Sequence, residues 1–71
     1  MKSFLKNAKK FDVYLLKNGM TGVFIQNWAQ DIIQVRVEEE DFYLFVDKKD
    51  GKTCNRHYAD YDIIKLKSQS L

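Results

Sequence analysis

The Asn18-Gly19 pair constrains the fold of this chain more than any other feature of its sequence. It follows an apolar run over residues 11–17, and both of its residues tolerate the positive φ that a tight hairpin requires. A second apolar run begins at once and continues over residues 20–28. The pattern predicts two antiparallel strands joined by a tight turn, with Gly22 as a bend or bulge in the second.

Further along the chain, apolar and polar residues alternate over residues 32–38. This period of two predicts a third strand, with Ile33, Val35 and Val37 on a single buried face. Two more strands are predicted over residues 52–57 and 62–67, on either side of a short irregular turn. Asn27 to Gln30 is predicted as a polar break around Trp28, and Asp50-Gly51 as a hairpin turn.

The segment 42–46 differs because both of its faces are apolar. A strand of this kind must be covered on both sides, and a chain of 71 residues has little with which to cover the second side. We therefore predict that this segment lies in a subunit interface. The residues predicted for that interface are Phe42, Tyr43, Leu44, Phe45, Val46 and Ile63.

Residues 3–10 have helical spacing, with Ser3 as the N-cap and Phe4, Leu5 and Ala8 on one face. The whole chain is thus predicted to be a single all-β domain, 1–71, with one short N-terminal helix at 3–10 and a barrel at 11–67. Five or six short strands with tight turns favour a small, strongly bent barrel of the SH3-like kind. An open sheet with a helix on one face is the structural alternative.

Several classes of function have little support in the composition. Cys54 is the only cysteine, which rules out an internal disulfide and favours a reduced, cytoplasmic setting. Cys54 and His57 fall on opposite faces of the predicted strand, and no closely spaced cysteine or histidine pairs are present. No apolar run has the roughly 18 residues of a membrane helix. We expect no enzyme, no cofactor, no metal and no membrane partner.

RNA binding has better candidate residues. Single-stranded RNA is held by cations at its phosphates and by aromatic or amide side chains at its bases. Trp28 is either such a platform or a core anchor, and Arg56 and His57 are either phosphate ligands or an ordinary solvated strand end. The predicted RNA-binding residues are Arg56, His57, Asp31, Gln30, Asn27 and Trp28.

These segments together resemble the Sm-like family of RNA-binding proteins, in particular its bacterial Hfq branch. Residues 4–8 resemble the N-terminal helix of that branch, and residues 14–19 resemble the end of the first Sm strand. Asp31 lies close to the position of the family's loop aspartate. The same comparison matches Asp50-Gly51 to the variable hairpin, Arg56-His57 to the basic-His pair of the last loop, and Ile63-Ile64 to the final strand.

The resemblance implies a homo-oligomeric ring of six or seven subunits, joined by the fourth strand of one subunit and the fifth of the next. It also implies that single-stranded RNA binds near Asp31, Arg56 and His57, with the protein acting as an RNA chaperone or scaffold. Two alternatives stay open. One is an SH3-like protein-interaction module without RNA binding, such as a small regulatory or phage-type protein. The other is a structural protein that only assembles.

Overall fold

Five strands form one antiparallel sheet in the computed structural model, which describes residues 5–70. They are β1 (Val13–Leu16), β2 (Thr21–Ala29), β3 (Ile32–Val37), β4 (Phe42–Asp47) and β5 (Ile63–Ser68). Their spatial order is β4-β3-β2-β1-β5, and a 3₁₀-helix, Arg56–Tyr61, connects β4 to β5. The predicted all-β class is therefore confirmed, while the closed barrel stays a prediction. Within the described part of the chain, no helix has the length and apolar character of a membrane span.

The first hairpin turns at Asn18-Gly19, as predicted. Gly19 has a φ of +89°, and its N–H donates to the Leu16 carbonyl over 2.9 Å. The Asn18 side chain accepts from the Met20 N–H, also over 2.9 Å. The turn thereby fixes the register in which Val13 lies opposite Val23.

The alternation along β3 is confirmed, because Ile33, Val35 and Val37 are completely buried. The inner face of β4 and the side chains of Tyr14 and Leu16 pack on them. The buried core consists of Leu5, Tyr14, Leu16, Phe24, Ile33, Val35, Val37, Leu44, Val46 and Ile63.

Gly22 has a different role from the predicted bend or bulge. A Cβ at this position would lie 2.8 Å from Val35 Cγ1 and 3.0 Å from Leu16 Cδ2, so Gly22 allows β2 to approach the core closely. The register shifts of β2 occur farther along the strand, between Phe24 and Gln26 and between Asn27 and Ala29.

The helix predicted over residues 3–10 is not formed by the part of it that the structure describes. Residues 5–10 form turns and irregular backbone, while Ser3 and Phe4 lie outside the described residues. One tertiary and one local hydrogen bond direct this backbone: Leu5 N–H donates to the Lys48 carbonyl, and Lys9 N–H donates to the carboxylate of Asp12, three residues farther on. Leu5 is buried in the core, which anchors the segment without a helix.

The strand predicted over residues 52–57 is also wrong. Only Thr53 forms a bridge, to Val46, and the chain then enters the 3₁₀-helix at Arg56. The cause is local, because the Asn55 side chain accepts from the His57 N–H over 3.0 Å and caps the helix. Arg56 and His57 consequently lie on a helix rather than at the end of a strand.

Candidate functional site

Trp28 lies on the surface of the sheet, with 60% of its area exposed, so the core-anchor interpretation is wrong. It is the extra residue of a β-bulge, since Asn27 pairs with Ile33 and Ala29 pairs with Ile32. Bulges re-aim side chains and are common beside functional sites. The break predicted from Asn27 to Gln30 is therefore shorter than expected, because β2 continues through Ala29.

A row of side chains crosses the outer face of three strands next to Trp28. Gln26 of β2 lies opposite Gln34 of β3, which lies opposite Phe45 of β4. Gln26 Nε2 donates to Gln34 Oε1 over 2.9 Å, and the ring of Phe45 lies 4.9 Å from the ring of Trp28. We call this set the Trp28 face: Gln26, Trp28, Gln34 and Phe45. From the sequence, Gln34 is predicted only to lie on the polar face of its strand, and not to belong to a site.

Lysine side chains lie beside the Trp28 face, where β2, β3 and β4 meet the N-terminal segment. Lys48 N–H donates to the Asp31 carbonyl over 2.6 Å, and Lys48 Nζ donates to Asn27 Oδ1 over 3.3 Å. Lys49 Nζ lies 3.6 Å from Asp31 Oδ2. Lys6 follows Leu5, whose N–H donates to the Lys48 carbonyl. We call Lys48 and Lys49 the basic end.

The predicted RNA-binding residues divide into two groups. Asn27, Trp28, Gln30 and Asp31 lie together at the end of the β2–β3 hairpin. Arg56 lies on the 3₁₀-helix instead, with its guanidinium bound to Asp62 and to the Thr53 carbonyl.

The hydrogen bonds to Asp62 raise the pKa of Arg56 above its ordinary value. His57 is exposed on the same helix. Among residues 5–70, no hydrogen bond or ion pair joins Arg56 or His57 to the hairpin group.

The residues predicted for an oligomer interface are distributed between the core and the surface. Leu44, Val46 and Ile63 are buried in the core of the single chain, so their side chains are occupied there. Tyr43 and Phe45 are exposed on the outer face of β4. The ring of subunits stays a prediction, and Tyr43 and Phe45 are the β4 side chains available for contacts between its subunits.

An aromatic cluster holds the 3₁₀-helix against β4. The ring of Phe42 lies 5.5 Å from that of Tyr61 and 5.9 Å from that of Tyr58, and the two tyrosine rings are 5.8 Å apart. The Tyr61 hydroxyl donates to the Glu40 carboxylate, and this hydrogen bond raises the pKa of Tyr61. Phe42 is thereby packed within its own chain.

Within the described residues, no three histidine, cysteine, aspartate or glutamate side chains converge to hold a metal ion. Comparison of the chain with models of known protein families, with curated proteins and with solved structures gives no match. The Trp28 face and its surroundings are therefore the candidate functional site of this chain.

Proposed function

We propose that this protein binds single-stranded RNA on the Trp28 face and acts as an Sm/Hfq-like RNA chaperone or scaffold. The observation that carries the proposal is the single tryptophan of the chain, held outward on a bulge with 60% of the residue's area exposed. A buried or isolated ring would not suit base stacking, but the ring of Trp28 packs on that of Phe45 and is thereby held in place on the surface.

The chemistry of the Trp28 face suits an unpaired base. A base that stacks on an aromatic ring gains about 1–3 kcal/mol, with little dependence on its identity. Gln26 and Gln34 bond to each other once and keep further amide donors and acceptors for base edges. Single strands are the expected ligand because bases in a duplex are already stacked and paired.

The basic end supplies the matching electrostatics. Lys48 and Lys49 are positioned by Asn27 and Asp31, which places cations at the same end of the sheet as Trp28. Phosphates bound there would run past the ring of Trp28. Asn27 and Asp31 thus contribute to RNA binding by orienting the side chains of Lys48 and Lys49.

We also propose that the sheet closes into an SH3-like barrel. Hydrogen bonds from residues 51–54 to β4 and to the start of β5 support closure: Cys54 N–H donates to the Phe45 carbonyl, and Ile63 N–H donates to the Gly51 carbonyl, each over 2.9 Å. Residues 51–54 thereby connect the two ends of the strand order. Closure would keep the outer faces of β2, β3 and β4 on the convex surface, where Trp28 lies.

The intrinsic fluorescence of Trp28 gives a direct test. Stacking of a base should quench it when oligouridine or oligoadenine is added at low salt, whereas duplex RNA should have little effect. In fluorescence anisotropy with labelled RNA, Trp28→Ala should weaken binding roughly 5- to 150-fold. Trp28→Phe should retain most of the affinity because it keeps an aromatic ring.

Tyr43→Ala provides the matched control, since Tyr43 is another exposed aromatic residue on the outer face of this sheet. We expect this variant to bind RNA as the unmodified protein does. Equal loss in both alanine variants would refute a site at Trp28. Absence of any RNA binding at low salt would overturn the proposal and favour a protein-interaction module.

A further inference from the structure

A shallow cleft of about 180 Å³ opens beside β4, lined on one side by Phe45. The cleft is aromatic: Tyr43, Phe45 and Tyr58 are 51%, 36% and 38% exposed. We call it the β4 cleft. Its lining residues are Tyr43, Leu44, Phe45, Cys54, Asn55 and Tyr58.

The electrostatic surroundings of the β4 cleft are negative. None of its lining residues is charged, but Asp47 follows Tyr43 and Phe45 on the same face of β4. Burial raises the pKa of the Cys54 thiol, and the carboxylates of Asp47 and Asp50 raise it further, so their negative field reaches the cleft.

Three of the neighbouring cations are held by groups outside the cleft. The ammonium of Lys48 is bound to Asn27, and that of Lys49 is paired with Asp31, both at the β2–β3 hairpin. The guanidinium of Arg56 is held by Asp62. A cation that enters the cleft from outside would therefore meet carboxylates and aromatic rings.

The backbone edge beside the cleft is open at Tyr43. Farther along β4, the Phe45 carbonyl accepts from Cys54 N–H, and Asp47 N–H donates to the Lys52 carbonyl. Backbone groups of alternate residues point to the same side of a strand, so the N–H and C=O of Tyr43 point to this edge too. Among residues 5–70, no hydrogen bond across this edge reaches them.

We propose that the β4 cleft binds a lysine or arginine side chain of a partner protein, presented on an extended segment that pairs with the open edge of β4. Aromatic rings attract ammonium and guanidinium groups through cation–π interactions, and nearby carboxylates strengthen that attraction. An extended segment beside Tyr43 would gain backbone hydrogen bonds, as in other cases of strand addition. This site shares Phe45 with the Trp28 face, but Gln26, Trp28 and Gln34 do not line it.

Cys54 serves as the reporter because it is the only cysteine, is exposed and lines the cleft. The probe is a short extended peptide of alternating threonine and valine with one central lysine. The control is the same peptide with norleucine in place of lysine. We expect the lysine peptide to slow alkylation of Cys54 by iodoacetamide in a saturable manner, and the norleucine peptide to have a much weaker effect.

Matched variants separate this site from the RNA site. Tyr43→Leu removes one ring, and Asp47→Asn removes one carboxylate but keeps the oxygen that accepts from Lys49 N–H. Each should weaken the protection of Cys54 about two- to fivefold. Gln26→Ala, which changes the Trp28 face at a residue that does not line the cleft, should leave the protection unchanged, whether or not it weakens RNA binding.

Three results would overturn the proposal. Equal protection by the norleucine peptide would exclude a cation site. Equal protection by oligouridine would assign the cleft to RNA. Protection that rises with protein concentration in the absence of peptide, together with a larger mass in light scattering, would identify the occupant as a second copy of this chain.

Discussion

Arg56 and Asp62 form a two-bond ion pair that clamps the two ends of the 3₁₀-helix together. Nη1 of Arg56 lies 2.9 Å from Oδ1 of Asp62, and Nη2 lies 3.0 Å from Oδ2. The same Oδ1 accepts from the N–H of Thr53, a buried residue, over 2.9 Å. Because its guanidinium holds the connection between β4 and β5, replacement of Arg56 should act chiefly on stability.

The hydrogen bond from Thr53 to Asp62 predicts a difference between two substitutions. Asp62→Ala removes the acceptor of a buried N–H group and should lower the free energy of unfolding by about 1–3 kcal/mol. Asp62→Asn retains an acceptor oxygen and should cost less. Urea denaturation of both variants gives the comparison. Equal losses would mean that the charge of Asp62, and not its acceptor oxygen, stabilises this segment.

The same carboxylate predicts acid sensitivity. Burial raises the pKa of Asp62, but the hydrogen bonds from Arg56 and Thr53 outweigh burial, and the pKa lies below its ordinary value of 3.8. Its contribution to stability is therefore complete above that value and is lost as the pH falls through the lower pKa of the folded state. Urea midpoints measured from about pH 5 to pH 2 should fall, and less steeply in Asp62→Asn. Parallel curves would contradict this assignment.

The raised pKa of Tyr14 predicts that the folded protein loses stability at alkaline pH. Burial of the phenol, together with the nearby charge of Asp12, raises the pKa of Tyr14 to about 12 from 10.0. Unfolded chains would ionise near pH 10 while the folded protein resists, so stability is complete below pH 10 and declines as the pH rises toward 12.

Absorbance of tyrosinate should show one of the four tyrosines titrating last, and Tyr14→Phe should remove that phase. Tyr14→Phe should also flatten the alkaline decline in the urea midpoint. An unchanged alkaline curve in this variant would exclude Tyr14 as its cause.

The strands could be predicted from the sequence wherever local pattern and tertiary burial agree. Ile33, Val35 and Val37 alternate with polar residues, and the structure buries all three on one face. Asn18-Gly19 favours a tight turn through its local backbone preference, so the first hairpin could be predicted without knowledge of tertiary contacts. The apolar character of both faces of β4 was also evident, although only the structure shows that Leu44 and Val46 face the core.

The remaining features depend on contacts between distant segments. Helical spacing at residues 3–10 competes with the hydrogen bond from Leu5 N–H to the Lys48 carbonyl, which the sequence does not reveal. The bulge that exposes Trp28 arises from a shift in the register with which β2 pairs with β3. Asn55 did offer a usable signal, since a short polar residue before Arg56 is a typical helix cap.

The close approach of Gly22 to the core predicts that a larger residue at this position overpacks the core. In Gly22→Ala the new methyl would press on Val35 and Leu16 at the centre of the core, and overpacking of this kind costs about 1–3 kcal/mol. Gly19→Asn is the control, because Gly19 has open space around it and asparagine tolerates positive φ. Thermal unfolding should show a clearly larger loss for Gly22→Ala. A similar midpoint in both variants would mean that β2 shifts to accommodate the methyl.

The basic end predicts how RNA binding depends on salt. Each phosphate neutralised on a single strand contributes about 0.7 to the slope of log affinity against log salt. Replacing Lys48 and Lys49 by glutamine should therefore reduce that slope by about 1.4. The control replaces Lys65 and Lys67, two exposed lysines of β5, which changes the net charge equally. Equal reductions in the two double variants would show that RNA is attracted by overall charge, whereas a reduction confined to the first pair would locate the phosphates beside Trp28.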